Sequence, residues 1–233
     1  RKAESRLKVL EVIADHSDDG DAALRAMQTA SGLLQALEKP EQAFAWATRA
    51  VDHSIDSGVV GDLASLESAA RAADQLIELS DWYADAASRL EGPRRREVLQ
   101  RRADLLRHEL ADLGMAVEVY EQLADLDEKD WDTLVALEEL TRSIQDWEGF
   151  ERTLHRQIAA LAKTKTKKAV AQERTARLRL GELYEDIIDD PDRAIDAYRS
   201  VLETSPGDEE AVEGLDRIFQ LDERWDDLLS LLH

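Results

Sequence analysis

The sequence has no cysteine and is poor in several other residue types. Without thiols, the 233-residue chain has no disulfide framework, no thiolate metal site and no cysteine nucleophile. Only 10 Gly and 4 Pro interrupt it, and no stretch approaches the roughly 18 consecutive apolar residues of a membrane-spanning helix. Ala, Leu, Glu, Asp and Arg are abundant instead, a mixture that favours helices over β-sandwiches or barrels.

Acidic side chains outnumber basic ones, 51 against 30, which gives a formal net charge of -21. A surface of this sign repels the phosphate backbone of nucleic acids unless a local basic stripe overcomes it. We therefore expect no nucleic acid partner and no insertion into a membrane. We also expect a cytoplasmic location. Because the chain begins at Arg1 without an initiating Met, we expect it to be part of a longer protein whose targeting segment, if any, lies elsewhere.

An internal repeat can be read along the chain. A shift of 78 residues superimposes mainly apolar positions at helical spacing, as expected if each copy buries the same face against its neighbours. The matches include Leu106 with Tyr184, Ala116 with Ala194, Tyr120 with Tyr198, Leu137 with Leu215, and Trp147 with Trp225.

A more degenerate copy precedes these two. Its matches are Pro40 and Ala43 with Pro191 and Ala194, and Asp81-Trp82 with Asp146-Trp147. Three copies predict one solenoid over residues 1–233, made of double repeats over about 17–90, 91–162 and 163–233. Each double repeat contains four helices. Differences in spacing predict insertions between His53 and Gly61 and around Lys163 to Lys168, in connections rather than in the buried seam.

Local signals place the helices of the last copy. Asp190 is a good N-cap, and Pro191 suits the first helical position, where no amide partner is needed. Pro206 and Gly207 end that helix, and Asp208 caps the next one. The run of Lys163, Lys165, Lys167 and Lys168 is interpreted as a solvated connection.

The last copy also resembles the tetratricopeptide signature L-G-x-x-Y, A-x-x-x-F, P. The matching residues are Leu180, Gly181, Tyr184, Ala194, Tyr198 and Pro206. Two departures mark the copy as divergent: Arg177 stands where the family prefers Trp, and the turn before Pro191 is one residue longer than usual.

The resemblance implies an all-α fold, a right-handed α-solenoid of about 12–13 helices in antiparallel pairs. It further implies that the chain is a scaffold for a protein or peptide, and that the first helix of each pair lines the concave face. The arrays are also similar to those of long bacterial scaffold proteins, which extends the expectation to cell polarity, motility or envelope assembly. Gly181 and Ala194 would let two helices approach closely, while Tyr184 and Tyr198 fill the space between pairs.

The spacing of histidine and acidic residues along the sequence matches neither of two common metal-binding motifs. The pair His108-Glu109 begins like a zinc-protease motif, but the fourth position after His108 is Asp112 rather than a second His. None of the five His follows a Glu at the spacing of di-iron bundles. We therefore expect no catalytic residue, cofactor or metal. The recurrence of Trp82, Trp147 and Trp225 is interpreted as core filling.

The distribution of arginine suggests a binding surface. If first helices line one face, Arg101, Arg107, Arg142 and Arg179 form a ladder for the carboxylates of a partner. The alternative is that these arginines pair with the chain's own Asp and Glu. Two other functions stay open: a helical enzyme or metal carrier, and a structural segment that stacks onto further repeats.

Overall fold

A computed structural model describes the backbone of residues 2–56, 61–162, 164 and 166–231, and the side chains of these residues as far as 229. The described residues form thirteen α-helices and one π-helical turn, with no β-strand, so the predicted all-α fold of about 12–13 helices is confirmed. The helices are α1 (Lys2–His16), α2 (Gly20–Ala36), α3 (Pro40–Asp56), α4 (Leu63–Ala73), α5 (Leu76–Arg89), α6 (Gly92–His108), α7 (Leu113–Leu126), α8 (Trp131–Ser143), α9 (Trp147–Leu161), α10 (Lys167–Leu183), α11 (Pro191–Thr204), α12 (Glu209–Leu221) and α13 (Trp225–Leu231).

Aspartate side chains begin many of these helices. Both predicted caps are confirmed: Asp190 accepts a hydrogen bond from the backbone N–H of Arg193 at 3.1 Å, and Asp208 accepts one from Ala211 at 3.3 Å. Each such bond satisfies an amide that has no partner within its own helix, and contributes about 1 kcal/mol. Further caps of this kind are Asp19, Asp62, Asp130 and Asp146.

A left-handed residue separates the two helices of each pair. Among the described residues, six non-glycine residues have φ between 53° and 60°, and each lies in the turn after an even-numbered helix. They divide α2 to α13 into six pairs, whose even-numbered members we call first helices. The six residues are Glu38, Asp74, Ala111, Gln145, Asp189 and Glu223.

The chain divides into two compact units, Arg1–Val119 and Tyr120–His233. Within the first unit, Leu34, Leu66, Leu79 and Tyr83 are fully buried between packed helices. The grouping of the helix pairs into three double repeats, over residues 17–90, 91–162 and 163–233 of a single solenoid, stays a prediction.

The core of the second unit surrounds α10, α11 and α12. Tyr198 on α11 is 2% exposed, and its ring lies between Gly181 on α10 and Gly214 on α12. A Cβ atom added to Gly181 would lie 2.5 Å from Tyr198 Cε1, and one added to Gly214 would lie 2.6 Å from Cε2. The predicted close approach at Gly181 is therefore confirmed, and Gly214 provides a second one.

The long turn before Pro191 is a π-helical turn, Tyr184–Ile188, that continues α10. A π-turn closes hydrogen bonds between residues five apart rather than four, so it accommodates one extra residue without breaking the helix. Asp189 then takes φ 60°, and the N–H of Asp190 donates to the carbonyl of Tyr184 at 2.9 Å. The π-helical turn therefore accounts for the one extra residue that the sequence shows before Pro191.

Two interpretations need correction. Trp82 is buried at the seventh position of α5, whereas Trp147 and Trp225 begin α9 and α13, so the three Trp do not share one register. Trp225 is 56% exposed, and core filling is wrong for it because no described helix covers that side of α13. Lys167 and Lys168 lie in the first turn of α10 rather than in a connection.

The predicted insertions fall partly outside the described residues, which omit 57–60, 163 and 165. None of the helices in the described part of the chain combines the length and apolar character that a membrane crossing demands.

Candidate functional site

The second unit has an open cleft between two successive first helices, α8 and α10, with a volume of about 480 Å³. Its lining positions recur every three or four residues along both helices, which places them on one face of each. We call it the α8–α10 cleft. It is lined by Trp131, Val135, Glu138, Glu139 and Arg142 of α8, Gln157 of α9, and Lys168, Ala171, Gln172, Thr175, Ala176 and Arg179 of α10.

A buried carboxylate forms part of the cleft wall. Glu138 is 7% exposed, and it accepts hydrogen bonds from the guanidinium of Arg179 and from Gln157 Nε2, the latter at 2.7 Å. Gln157 is itself buried and also donates to the carbonyl of Leu134 at 3.4 Å. A carboxylate withdrawn from water needs such partners. Arg179 therefore neutralises a charge of this chain.

The first unit repeats this arrangement between α4 and α6. Glu67 accepts a hydrogen bond from Arg101 Nη1 at 2.8 Å and another from Tyr83 Oη at 2.6 Å. Burial, together with the neighbouring Glu67 carboxylate, raises the pKa of Tyr83 far above its ordinary value. Arg101 on α6 and Arg179 on α10 are separated by the 78-residue shift of the sequence repeat, and each binds a Glu of the preceding first helix.

A second ion pair of the first unit has no counterpart at Arg142 among the residues that the structure describes. Arg71 donates through Nε and Nη2 to both carboxylate oxygens of Glu109, at 2.9 and 2.7 Å. This hydrogen bonding lowers the pKa of Glu109 and raises that of Arg71. Arg71 and Arg142 are equivalent, since each lies three residues before the left-handed residue of its turn, Asp74 and Gln145.

The position that supplies the carboxylate differs between the two units. Glu109 lies two residues before the left-handed Ala111, and the residue two before Asp189 is Ile187. Arg142 is exposed, and within the described part of the chain no carboxylate lies at ion-pair distance from it. Among the described residues, Arg142 therefore lacks the kind of carboxylate partner that Glu109 provides for Arg71.

Another arginine of the second unit links two successive first helices, α10 and α12. Arg174 on α10 forms an ion pair with Asp208, the N-cap of α12, and its Nη2 also donates to Glu210 at 3.1 Å. Hydrogen bonds from Arg174 lower the pKa of Asp208, whose side chain is largely hidden from water. This pair links successive repeats and is not available to a ligand.

The predicted arginine ladder is thus divided by the structure. Arg142 and Arg179 line one cleft of the second unit, while Arg101 and Arg107 lie on α6 of the first. Arg101 and Arg179 already bind carboxylates of the chain, and Arg107 is half-buried in the last turn of α6. The partner-binding role of the four stays a prediction.

Sequence reasoning missed three groups of the cleft: Lys168, Glu138 and Gln157. Spacing of three or four residues from Arg179 along α10 could have placed Lys168 on the cleft face. The contacts of Glu138 and Gln157 cross between helices, and no local pattern reveals them. Among the described residues, no group of three or more His, Asp or Glu is arranged to hold a metal ion.

The fold and the cleft define a class: an all-α protein of repeated helix pairs with an open cleft between successive first helices. Residues 176–212 match the family model described as Tetratricopeptide repeat. The match spans the end of α10, the π-helical turn, α11 and the start of α12. This segment is similar to a tetratricopeptide repeat, and the resemblance of the chain to a divergent tetratricopeptide-like family is confirmed.

Several solved structures are similar to the chain. MamA is 18% identical over 70% of this chain and 87% of its own, with a TM-score of 0.42. YrrB, a TPR protein with an unusual peptide-binding site, is 14% identical over 91% and 97%, with a TM-score of 0.40. A TPR repeats protein from Bacteroides fragilis is 16% identical over 94% and 90%, also at 0.40.

No protein with a curated description matches the chain. The structural similarities have TM-scores below 0.5 and low identity, so they carry no inference about function.

Proposed function

We propose that this chain is an interaction scaffold that binds a protein or peptide partner on the face of its first helices. The observation that carries this proposal is the α8–α10 cleft, which is open and bordered by two first helices. The inward faces of the same helices are used for packing, as with Leu178 and Leu137. Surfaces of this kind are the extended binding sites of helical-repeat proteins.

The chemistry of the cleft is that of binding. Its most buried polar groups, Glu138 and Gln157, satisfy each other and Arg179, so none is poised as a nucleophile or base. The cations that remain, Arg142 and Lys168, are exposed at the cleft edge. That the chain is not an enzyme is part of the proposal, as are a cytoplasmic location and a role in bacterial cell polarity, motility or envelope assembly.

Photo-crosslinking tests the proposal. A photoreactive amino acid at Gln172, in the cleft, should form a defined adduct with a partner protein in an extract of the source cells. The matched control is the same residue at Ala159, which is exposed on α9 outside the cleft. Equal labelling from both positions, or none from Gln172, would contradict a partner on the first helices.

A second function is favoured by one observation, the exposed apolar residues at the end of the second unit. Leu221 is 80% exposed, and Trp225 on α13 is also exposed. These side chains suit a further helix pair that stacks on α12 and α13. If they mediate self-association, the double variant Leu221→Lys, Trp225→Lys should lower the mass measured by light scattering at high concentration. An unchanged monomeric mass in both proteins would rule this role out for isolated chains.

A further inference from the structure

We infer that the first unit has an oxyanion-binding site on the side of α6 that packs against α5, formed by Arg102, Ser80 and Arg95. The ligand is a small molecule that carries a phosphate or carboxylate group. The site is separate from the α8–α10 cleft, so the inference goes beyond the proposed function and does not depend on it. It is carried by a buried guanidinium that no carboxylate of the described chain neutralises.

Arg102 is buried on α6, with 8% of its surface exposed. Within the described part of the chain its one hydrogen bond runs from Nε to Ser80 Oγ on α5, at the long distance of 3.4 Å, and no carboxylate lies at ion-pair distance. By contrast, the more exposed Arg174 and Arg177 each form an ion pair. A guanidinium withdrawn from water requires a counter-charge, and the described chain supplies none to Arg102.

The groups that accompany Arg102 are hydrogen-bond donors. Ser80 is 5% exposed, and its hydroxyl accepts from Arg102 while no described residue accepts its own hydrogen. Arg95 lies seven residues before Arg102, on the same face of α6 and about 10 Å away along the helix axis. Its Nε is buried and has no hydrogen-bond partner among the described residues. A set of N–H and O–H donors without an acceptor complements the oxygens of an anion.

The second unit has a carboxylate at the position of Ser80. Both α5 and α9 begin two residues after a left-handed residue, so Ser80, the fifth residue of α5, corresponds to Glu151, the fifth residue of α9. Glu151 accepts a hydrogen bond from Tyr184 at 3.0 Å and forms an ion pair with Arg193. The first unit therefore has a hydroxyl donor where the second has an anion that neutralises an arginine.

The 78-residue shift reveals two further differences on α6. It places Arg102 at the position of Leu180, and Arg95 at the position of Glu173, which pairs with Arg177 at 2.7 Å. An apolar and an acidic position of the second unit are thus both cations in the first. A bound oxyanion would supply the negative charge that the first unit lacks at these positions.

The site is accessible to a small ligand. Arg95 Nε is the one fully buried side-chain nitrogen or oxygen without a hydrogen-bond partner in the described part of the chain. The terminal nitrogens of Arg102 have no partner there either, so they must reach the surface. Ile77 lies three residues before Ser80 and is 66% exposed, which shows that this face of α5 borders solvent.

A titration of the full chain with inorganic phosphate tests the inference. The proton–nitrogen NMR signals of the arginine side chains report binding, and sodium chloride of equal ionic strength is the reference. We expect the Nε–H signals of Arg102 and Arg95 to shift with phosphate and not with chloride. Phosphate should also raise the midpoint of urea unfolding, because it binds the folded state. A parallel titration with sodium acetate compares the two groups, and the tighter one identifies the class of ligand.

Arg102→Leu removes the main cation and introduces the residue type that the second unit has at Leu180. It should weaken phosphate binding at least about tenfold and abolish the phosphate-dependent rise in the midpoint. In chloride it should be at least as stable as the parent, because an uncompensated buried charge is gone. The control is Arg94→Leu, which removes the same charge from an exposed position in the first turn of α6. It should change the affinity less than about twofold.

A second variant supplies the anion from within the chain. Ser80→Glu places a carboxylate next to Arg102, at the position that Glu151 has in the second unit. It should abolish phosphate binding and raise the midpoint of urea unfolding in chloride. Circular dichroism checks the fold of each variant, and Arg102→Leu decides the question by itself if Ser80→Glu does not fold.

Three results would overturn the inference: no effect of phosphate or acetate beyond that of chloride, equal affinity of Arg102→Leu and the parent, or an equal loss in Arg94→Leu. The scaffold role is tested separately by crosslinking at Gln172. A chain that binds phosphate but crosslinks no partner keeps the oxyanion site and loses the scaffold role, and the reverse result does the opposite.

Discussion

The sandwich of Tyr198 between two glycines makes a prediction about stability. Added Cβ atoms at Gly181 and Gly214 would lie 2.5 Å and 2.6 Å from opposite edges of the ring, distances that real Cβ contacts do not reach. The ring has little room to move, because it is buried and its hydroxyl donates to Glu185 at 2.9 Å. Either Gly→Ala substitution must therefore displace α10 or α12 from the ring.

The magnitude follows from two opposing effects. Overpacking a core by one methyl costs about 1–3 kcal/mol. Alanine is about 1 kcal/mol better than glycine in a helix, which offsets part of this cost. We therefore expect Gly181→Ala to lower the free energy of unfolding by up to about 2 kcal/mol. Gly32→Ala is the control, since its Cβ would meet nothing within 4 Å, and it should stabilise the chain by up to about 1 kcal/mol.

A double-mutant cycle tests the cause. Tyr198→Leu removes the ring, so Gly181→Ala in that background should be neutral or stabilising, giving a coupling of about 2 kcal/mol. Urea unfolding of the full chain followed by circular dichroism measures the four variants, and hydrogen exchange of α10 to α12 locates the effect. If Gly181→Ala costs the same with and without the ring, or stabilises the parent as Gly32→Ala does, the close approach is not what requires glycine.

Three further predictions concern turns, pH and the surface. Ala111→Gly should raise stability by about 1 kcal/mol, because glycine relieves a left-handed alanine, while the same change at helical, exposed Ala159 should lower it by about 1 kcal/mol in urea unfolding. Arg174→Leu should cost about 1–2 kcal/mol at pH 7. The pKa of Asp208 is lowered in the folded state, so this stabilisation is present above about pH 4 and is lost as the pH falls further. The difference in unfolding free energy between the two proteins should therefore shrink at pH 2. An equal difference at pH 7 and pH 2 would contradict this prediction. Trp225→Ala should change the free energy of unfolding by less than about 0.5 kcal/mol in the same urea unfolding assay, since the side chain is exposed.

Much of the fold could be predicted because its determinants are local. Apolar spacing and aspartate caps specify where helices form, and the caps at Asp190 and Asp208 lie where the sequence indicates them. Contacts between repeats are less accessible. The family signature indicates Gly181 as a small position, but the equivalent role of Gly214 depends on a ring that arrives from the preceding helix pair.

The register of the Trp residues could not be predicted for a related reason. The Asp-Trp pair recurs in the sequence, yet α5 begins at Leu76, six residues before Trp82, whereas α9 begins at Trp147 itself. A two-residue pattern does not distinguish a helix start from a helix interior. The position of the left-handed turn residue distinguishes these two cases, and that position is known from the backbone geometry rather than from the sequence.

The cleft shows why residue type alone does not identify a binding arginine. Arg142 and Arg179 lie on the same cleft and carry the same charge, but Arg179 neutralises the buried Glu138. Removing Arg179 would leave a buried carboxylate with only Gln157, a loss of about 1–3 kcal/mol in stability before any partner is added. Charge reversal at Arg179 therefore mixes folding with binding, and the same holds for Arg101 and Glu67. Arg142 neutralises no carboxylate within the described chain. If a substitution of Arg142 lowers the affinity for the partner and leaves the melting temperature unchanged, the effect therefore concerns partner binding alone.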